Sequence, residues 1–109
     1  MAYNEGVAER LTMAYASEPG ACEKKMLGGM AIMVNGRMSC GVVKDYLMVR
    51  VGPDLYQTAL SRPHAREMDF TGRSMKGFVF VDLEGFAEDE DHADWVALSL
   101  EFIHSLPPK

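Results

Sequence analysis

The chain has 109 residues, 48% of them hydrophobic and 25% charged, the make-up of one ordinary globular domain spanning residues 1–109. No apolar run approaches the roughly 20 residues of a membrane span, and no basic-then-apolar leader opens the chain, so the expected location is the cytoplasm. The net charge of −5 speaks against sequence-independent nucleic-acid binding by the whole surface, but the charge is unevenly spread. Residues 19–81 hold five acids and nine bases, whereas residues 82–109 hold eight acids and one base.

Residues 4–16 place Val7, Leu11, Ala14 and Tyr15 at helical spacing, with Asn4 as the N-cap and Ser17-Glu18-Pro19-Gly20 as the stop. A short strand follows over about Cys22–Met26, and Gly28-Gly29 turns the chain sharply. From Met30 to Val51 the sequence reads as three antiparallel strands. Asn35-Gly36 is the strongest hairpin signal present, because both residues tolerate the positive φ of a type I′ turn, and Lys44-Asp45 is a weaker second turn.

With two residues in each loop the register follows by counting. Val34 faces Arg37, Met33 faces Met38, Val43 faces Tyr46, Val42 faces Leu47, Cys40 faces Val49, and Met38 faces Val51. Alternation then sorts the side chains. Met33, Met38, Cys40, Val42, Leu47, Val49 and Val51 form an uncharged face, expected to be core. Met30, Ile32, Val34, Arg37, Ser39, Gly41, Val43, Tyr46, Met48 and Arg50 form the other, which is less polar than a solvated face should be. Gly41 is expected to leave room there for Met48.

Further on, Pro53–Leu60 reads as a short helix, 61–64 as a connector and 68–70 as extended. Thr71–Ser74 reads as a turn in which Gly72 takes positive φ. Met75–Val81 is apolar on both sides and is expected inside the sheet. An acidic loop over 85–91 leads into a helix from about Asp89 to Ser105, with Trp95, Leu98, Phe102 and Leu106 on one stripe, widened by Val96, Leu100 and Ile103. The expected fold is α+β in two layers: an antiparallel sheet of about five strands with helices packed on one face.

For chemistry the chain offers little. His64, His92 and His104 stand at no metal-ligand spacing from one another or from Cys22 and Cys40, so neither a metal site nor a cofactor is expected. His92 reads as a surface residue and His104 as a partner of terminal carbonyls. Cys40 reads as a buried free thiol. No G-x-S-x-G elbow or phosphate-binding glycine loop is present, and no catalytic residue is assigned. What remains is binding. Met30, Ile32, Arg37, Tyr46, Met48 and Arg50 are the candidates for contact with a protein partner or a second copy, since Arg beside aromatic and Met side chains is a common interface composition. The alternative is nucleic-acid binding through Lys24, Lys25, Arg73 and Lys76; a small-ligand binder or enzyme is a third possibility.

Several spaced motifs occur in order: Lys25-Met26-Leu27-Gly28-Gly29, Val34-Asn35-Gly36, Leu47-Met48-Val49-Arg50-Val51-Gly52, and Met68-Asp69-Phe70-Thr71-Gly72-Arg73-Ser74-Met75-Lys76-Gly77. Together they resemble the N-terminal domain of the TfoX/Sxy family, bacterial proteins associated with natural competence. Leu27 stands where that family usually has an aromatic residue. The resemblance implies an α+β domain, here expected to stand alone without the family's C-terminal domain. It also implies a role in transcriptional regulation through partner proteins, and it carries over no catalytic residue.

Overall fold

In the computed structural model, which describes residues 4–26, 29–70 and 73–107, the first helix begins where Asn4 caps it. The Asn4 side-chain oxygen accepts from the backbone N–H groups of Gly6 and Val7 at 2.9 and 3.2 Å, satisfying two donors that the helix itself cannot pair. Helix α1 covers Glu5–Ala14. After it come β1 (Ala21–Met26), β2 (Gly29–Val34), β3 (Arg37–Val43) and β4 (Tyr46–Arg50), then α2 (Tyr56–Leu60), β5 (Ala65–Phe70), β6 (Arg73–Val81), a 3-10 turn at Leu83–Gly85 and α3 (Asp89–Ser105).

The strands form one antiparallel sheet in the order β1-β2-β3-β4-β6-β5, six where the sequence led us to expect about five. The extended segment read at 68–70 starts earlier, at Ala65, and β6 lies inside the sheet between β4 and β5 as its two apolar sides required. Helix α2 starts at Tyr56 rather than Pro53. All three helices lie on one face, where Leu11, Tyr15, Tyr56, Ala59, Trp95, Val96 and Ile103 pack on inward residues of the strands. The fold is α+β in two layers. The Gly28 and Gly72 turns and the Leu27 departure lie outside the described residues.

The β2–β3 hairpin turns at Asn35 and Gly36 with φ of 53° and 82°, and Val34 opposes Arg37 as counted. Two residues later the register shifts. Met33 still opposes Met38, but Ile32 opposes Cys40, which leaves Ser39 as the extra residue of a β-bulge. The bulge is held by hydrogen bonds: the Ser39 hydroxyl lies 2.6 Å from the Tyr15 hydroxyl and 2.7 Å from the Ser99 hydroxyl. Ser99 also donates to the Ser39 carbonyl at 2.9 Å. Burial of all three residues is thereby compensated.

Relative to the counted register, the bulge exchanges the faces of all of β2 and of β3 before Cys40. Met30, Ile32 and Val34 join Cys40, Val42, Leu47 and Val49 under the helices, while Met33 and Met38, expected in the core, are half-buried on the other side. Val51 lies past the end of β4, buried, its N–H donating to Gly77 at 2.8 Å. Cys40 is the buried free thiol expected, and burial pushes its pKa up to about 11; Cys22 is exposed and free.

The buried stripe of α3 runs through His92, Trp95, Val96, Ser99 and Ile103, with Leu98, Phe102 and Leu106 only partly buried beside it. Two polar residues therefore sit in a stripe that hydropathy places further round the helix. His104 does not cap its own helix: its Nε2 lies 2.8 Å from the Glu18 carboxylate.

His92 is buried rather than at the surface, with its ring 6.1 Å from that of Phe86. Beside it, Arg10 of α1 donates to the carbonyls of Phe86 and Ala87 and to the Asp89 carboxylate, fastening α1 to the start of α3. Burial, reinforced by the Arg10 charge and opposed by Asp89, holds the imidazole below its ordinary pKa of 6.5, and its Nε2 has no hydrogen-bond partner. The unfolded chain therefore takes up this proton more readily than the folded one. His92 contributes stability that is fully present above pH 6.5 and is lost as pH falls below it, towards the folded pKa. The thermal midpoint is expected to fall from neutral into mildly acidic pH, and the fall to be shallower in His92→Leu. Equal slopes by calorimetry would remove His92 as the cause.

Candidate interaction surface

Strand alternation places Met38, Gly41 and Val43 of β3, Tyr46, Met48 and Arg50 of β4, and Phe78 and Phe80 of β6 on the face opposite the helices. At its centre Gly41 opposes Met48, and Met48 opposes Phe80. A Cβ on Gly41 would lie 2.5 Å from the Met48 terminal methyl, so the glycine leaves the hollow that Met48 fills, as the sequence suggested. Met48 is 0% exposed although no described helix lies over it. Around it Met38, Val43, Tyr46 and Phe78 remain half-buried.

Two arginines frame this apolar centre. The Arg66 guanidinium of β5 lies 4.2 Å from the Tyr46 ring centre and 5.0 Å from that of Phe80, and its Nε meets Asp82 at 3.2 Å. The Tyr46 and Phe80 rings are themselves 5.7 Å apart and tilted. The Arg50 guanidinium lies between two rings, 5.4 Å from Phe78 and 5.3 Å from Phe102 of α3. Stacking of this kind holds a long cationic side chain in place while its N–H edge stays available.

Of the six residues expected on one contact face, Tyr46, Met48 and Arg50 lie on this one. Met30 and Ile32 do not; they are 1% and 2% exposed beneath the helices. Arg37 is also on the helix side, donating to the Pro107 carbonyl at 2.6 Å. The Ser39 bulge is the reason for all three corrections. For the nucleic-acid alternative, Lys24 opposes Ala31 and Lys25 opposes Met30, so these neighbours point to opposite faces. The side chains of Arg73 and Lys76 lie outside those described.

Reading the sequence missed Arg66, Phe78 and Phe80 as members of the face. The signal was present for the phenylalanines, which share one side of a strand, but finding them required knowing that this strand pairs with β4. Arg66 fell between the 61–64 connector and the extended segment read at 68–70, in residues assigned to no element.

A second concavity, of about 470 Å³, lies between α3 and the segment joining α2 to β5. Arg62, His64, Glu84, Asp91 and Asp94 line it, with the Arg62 guanidinium 5.0 Å over the Trp95 ring. Among the described residues no group of three or more His, Cys, Asp or Glu side chains is placed to hold a metal ion, and no helix is long and apolar enough to cross a membrane.

The family described as the TfoX N-terminal domain matches residues 16–103. The chain belongs to that family. None of the curated proteins is similar enough to count as a match. The TfoX N-terminal match runs from just after α1 almost to the end of α3, and so takes in every strand of the open face together with Ser39 and Ser99 of the bulge network. Tyr15, the third member of that network, lies immediately before it.

Proposed function

We propose that this TfoX N-terminal domain is a non-catalytic regulatory module of the bacterial cytoplasm that works by binding another protein through its open sheet face. The observation that carries this reading is an apolar centre on the side away from the described helices, in which Met48 and Phe80 are buried and Met38, Val43, Tyr46 and Phe78 are half-buried around them. Sheet faces turned to solvent ordinarily alternate to polar side chains, and an apolar patch framed by arginines is the composition of interface centres. Membership of the family supports a link to transcriptional regulation, exerted through a protein rather than by touching nucleic acid. The net charge of −5 and the opposed directions of Lys24 and Lys25 favour that choice.

The test is a photo-crosslinking amino acid placed at Tyr46 or, as comparison, at the exposed Met13 on the helix side. Illumination in cells is expected to yield a discrete protein adduct from position 46 and none from position 13. Adducts from position 13 alone, or from neither, would refute the assignment of the sheet face.

A further inference from the structure

We infer that the segment docking on the open face belongs to another protein and is acidic: an apolar stretch flanked by carboxylates. This rests on the reading above and goes beyond it by fixing the partner's chemistry. The sheet separates the charges of its strands. Lys24, Arg50 and Arg66 start from the open side, Arg50 at the end of β4 where its guanidinium also reaches Phe102 of α3, and the carboxylate paired with them among the described residues is Asp82, with Arg66. Glu23 and Glu67 stand opposite Ile32 and Val79, which fixes both on the helix side. Among the strand residues whose side chains are described, the open side thus carries bases and no acid, while Lys25 and Arg37 lie with Glu23 and Glu67 on the helix side.

Arg50 is the more telling of the two arginines. It is half-buried between the Phe78 and Phe102 rings, and no described carboxylate lies within ion-pair distance of it. Packing against two rings restrains the guanidinium, and a carboxylate is the protein group that fits its fork with two parallel hydrogen bonds. A second copy of the chain is the poorer occupant. Face-to-face pairing about a twofold axis would bring Arg50 and Arg66 of each copy against the same basic groups of the other, and like charges set together at an interface oppose association.

The test uses the full chain and two synthetic amphipathic peptides with identical apolar residues, one bearing glutamates and the other lysines at every polar position, followed by fluorescence anisotropy. The glutamate peptide is expected to bind at least about tenfold more tightly than the lysine peptide, and to weaken as salt rises. Arg50→Gln combined with Arg66→Gln is expected to abolish that preference with an unchanged circular dichroism spectrum. Arg50→Lys, which keeps the charge but loses the fork, should fall between the two.

Equal binding of both peptides, or binding of neither, would overturn the acidic assignment, and so would a preference that survives in the double variant. Tighter binding of an oligothymidylate than of the glutamate peptide would also overturn it, making the face a nucleic-acid platform. A crosslink from Tyr46 obtained alongside any of the peptide failures would show that the face binds protein of different chemistry, so the two readings fail separately.

Discussion

Trp95→Ala is expected to lower the unfolding free energy by about 3–5 kcal/mol, the usual result of removing a large aromatic side chain from a packed core. Trp95 is 2% exposed within the cluster that joins the helices to the sheet. Its indole N–H donates to the Gly85 carbonyl at 3.2 Å, and the Arg62 guanidinium covers its outer ring face. The substitution leaves a cavity, an unpaired carbonyl and an arginine without its platform. Domains of this kind are stable by about 5–15 kcal/mol in total, so the urea midpoint should move by a large fraction of its value. Trp95 is the chain's one tryptophan, and unfolding is therefore followed by circular dichroism. Arg62→Ala, which removes only the covering cation, is expected to cost about 0.5–1 kcal/mol. A loss in Trp95→Ala no larger than that would mean that the core does not depend on the indole.

Gly41→Ala is the second large effect, at about 1–3 kcal/mol by overpacking. The added methyl would lie 2.5 Å from the Met48 methyl and 2.7 Å from the Met30 carbonyl oxygen. The first contact is with the end of a flexible chain, which can swing aside. The second is with backbone held in the β2–β3 ladder, and relieving it means drawing the two strands apart. The carbonyl contact should therefore dominate. Truncating Met48 to alanine in the Gly41→Ala background is expected to recover little of the loss beyond what Met48→Ala costs alone. Near-complete recovery in the equilibrium denaturation of the double variant would assign the clash to Met48 instead.

Most of the fold was legible because the chain marks its own punctuation. Asn4 sets the start of α1, Asn35-Gly36 forces a two-residue turn, and the acidic run before Trp95 opens α3 within a residue of where it was read. The β3–β4 register was countable because no irregularity intervenes between Val43↔Tyr46 and Cys40↔Val49. The β2–β3 faces were not countable. One serine among apolar neighbours looks like an outward residue, and its reason for turning inward lies at Tyr15 and Ser99, far away in sequence. His92 hides for a related reason: a titratable side chain at the acidic start of a helix reads as solvated until Phe86 and Arg10 are known to enclose its surroundings. The contact face inherited both kinds of difficulty. Tyr46, Met48 and Arg50 could be found within one hairpin, whereas Arg66, Phe78 and Phe80 depend on strands joined from much later in the chain.

The serine bulge also bears on the order in which the domain assembles. The β2–β3 hairpin can close early, since its two strands are separated by a two-residue turn and such hairpins form within about 1–10 microseconds. At that stage nothing within the hairpin distinguishes the bulged pairing from the regular one, in which Ile32 would meet Ser39 and the apolar residues on the turn side would face the wrong way. The native choice puts Met30, Ile32 and Val34 under the helices and gives Ser39 its hydroxyl partners at Tyr15 and Ser99. The native register of this local element therefore depends on contacts with residues near both ends of the chain. A β2–β3–β4 fragment lacking either helix has lost the groups that select the native pairing, and its exposed methionines and aromatic rings would be free to pair in either sense.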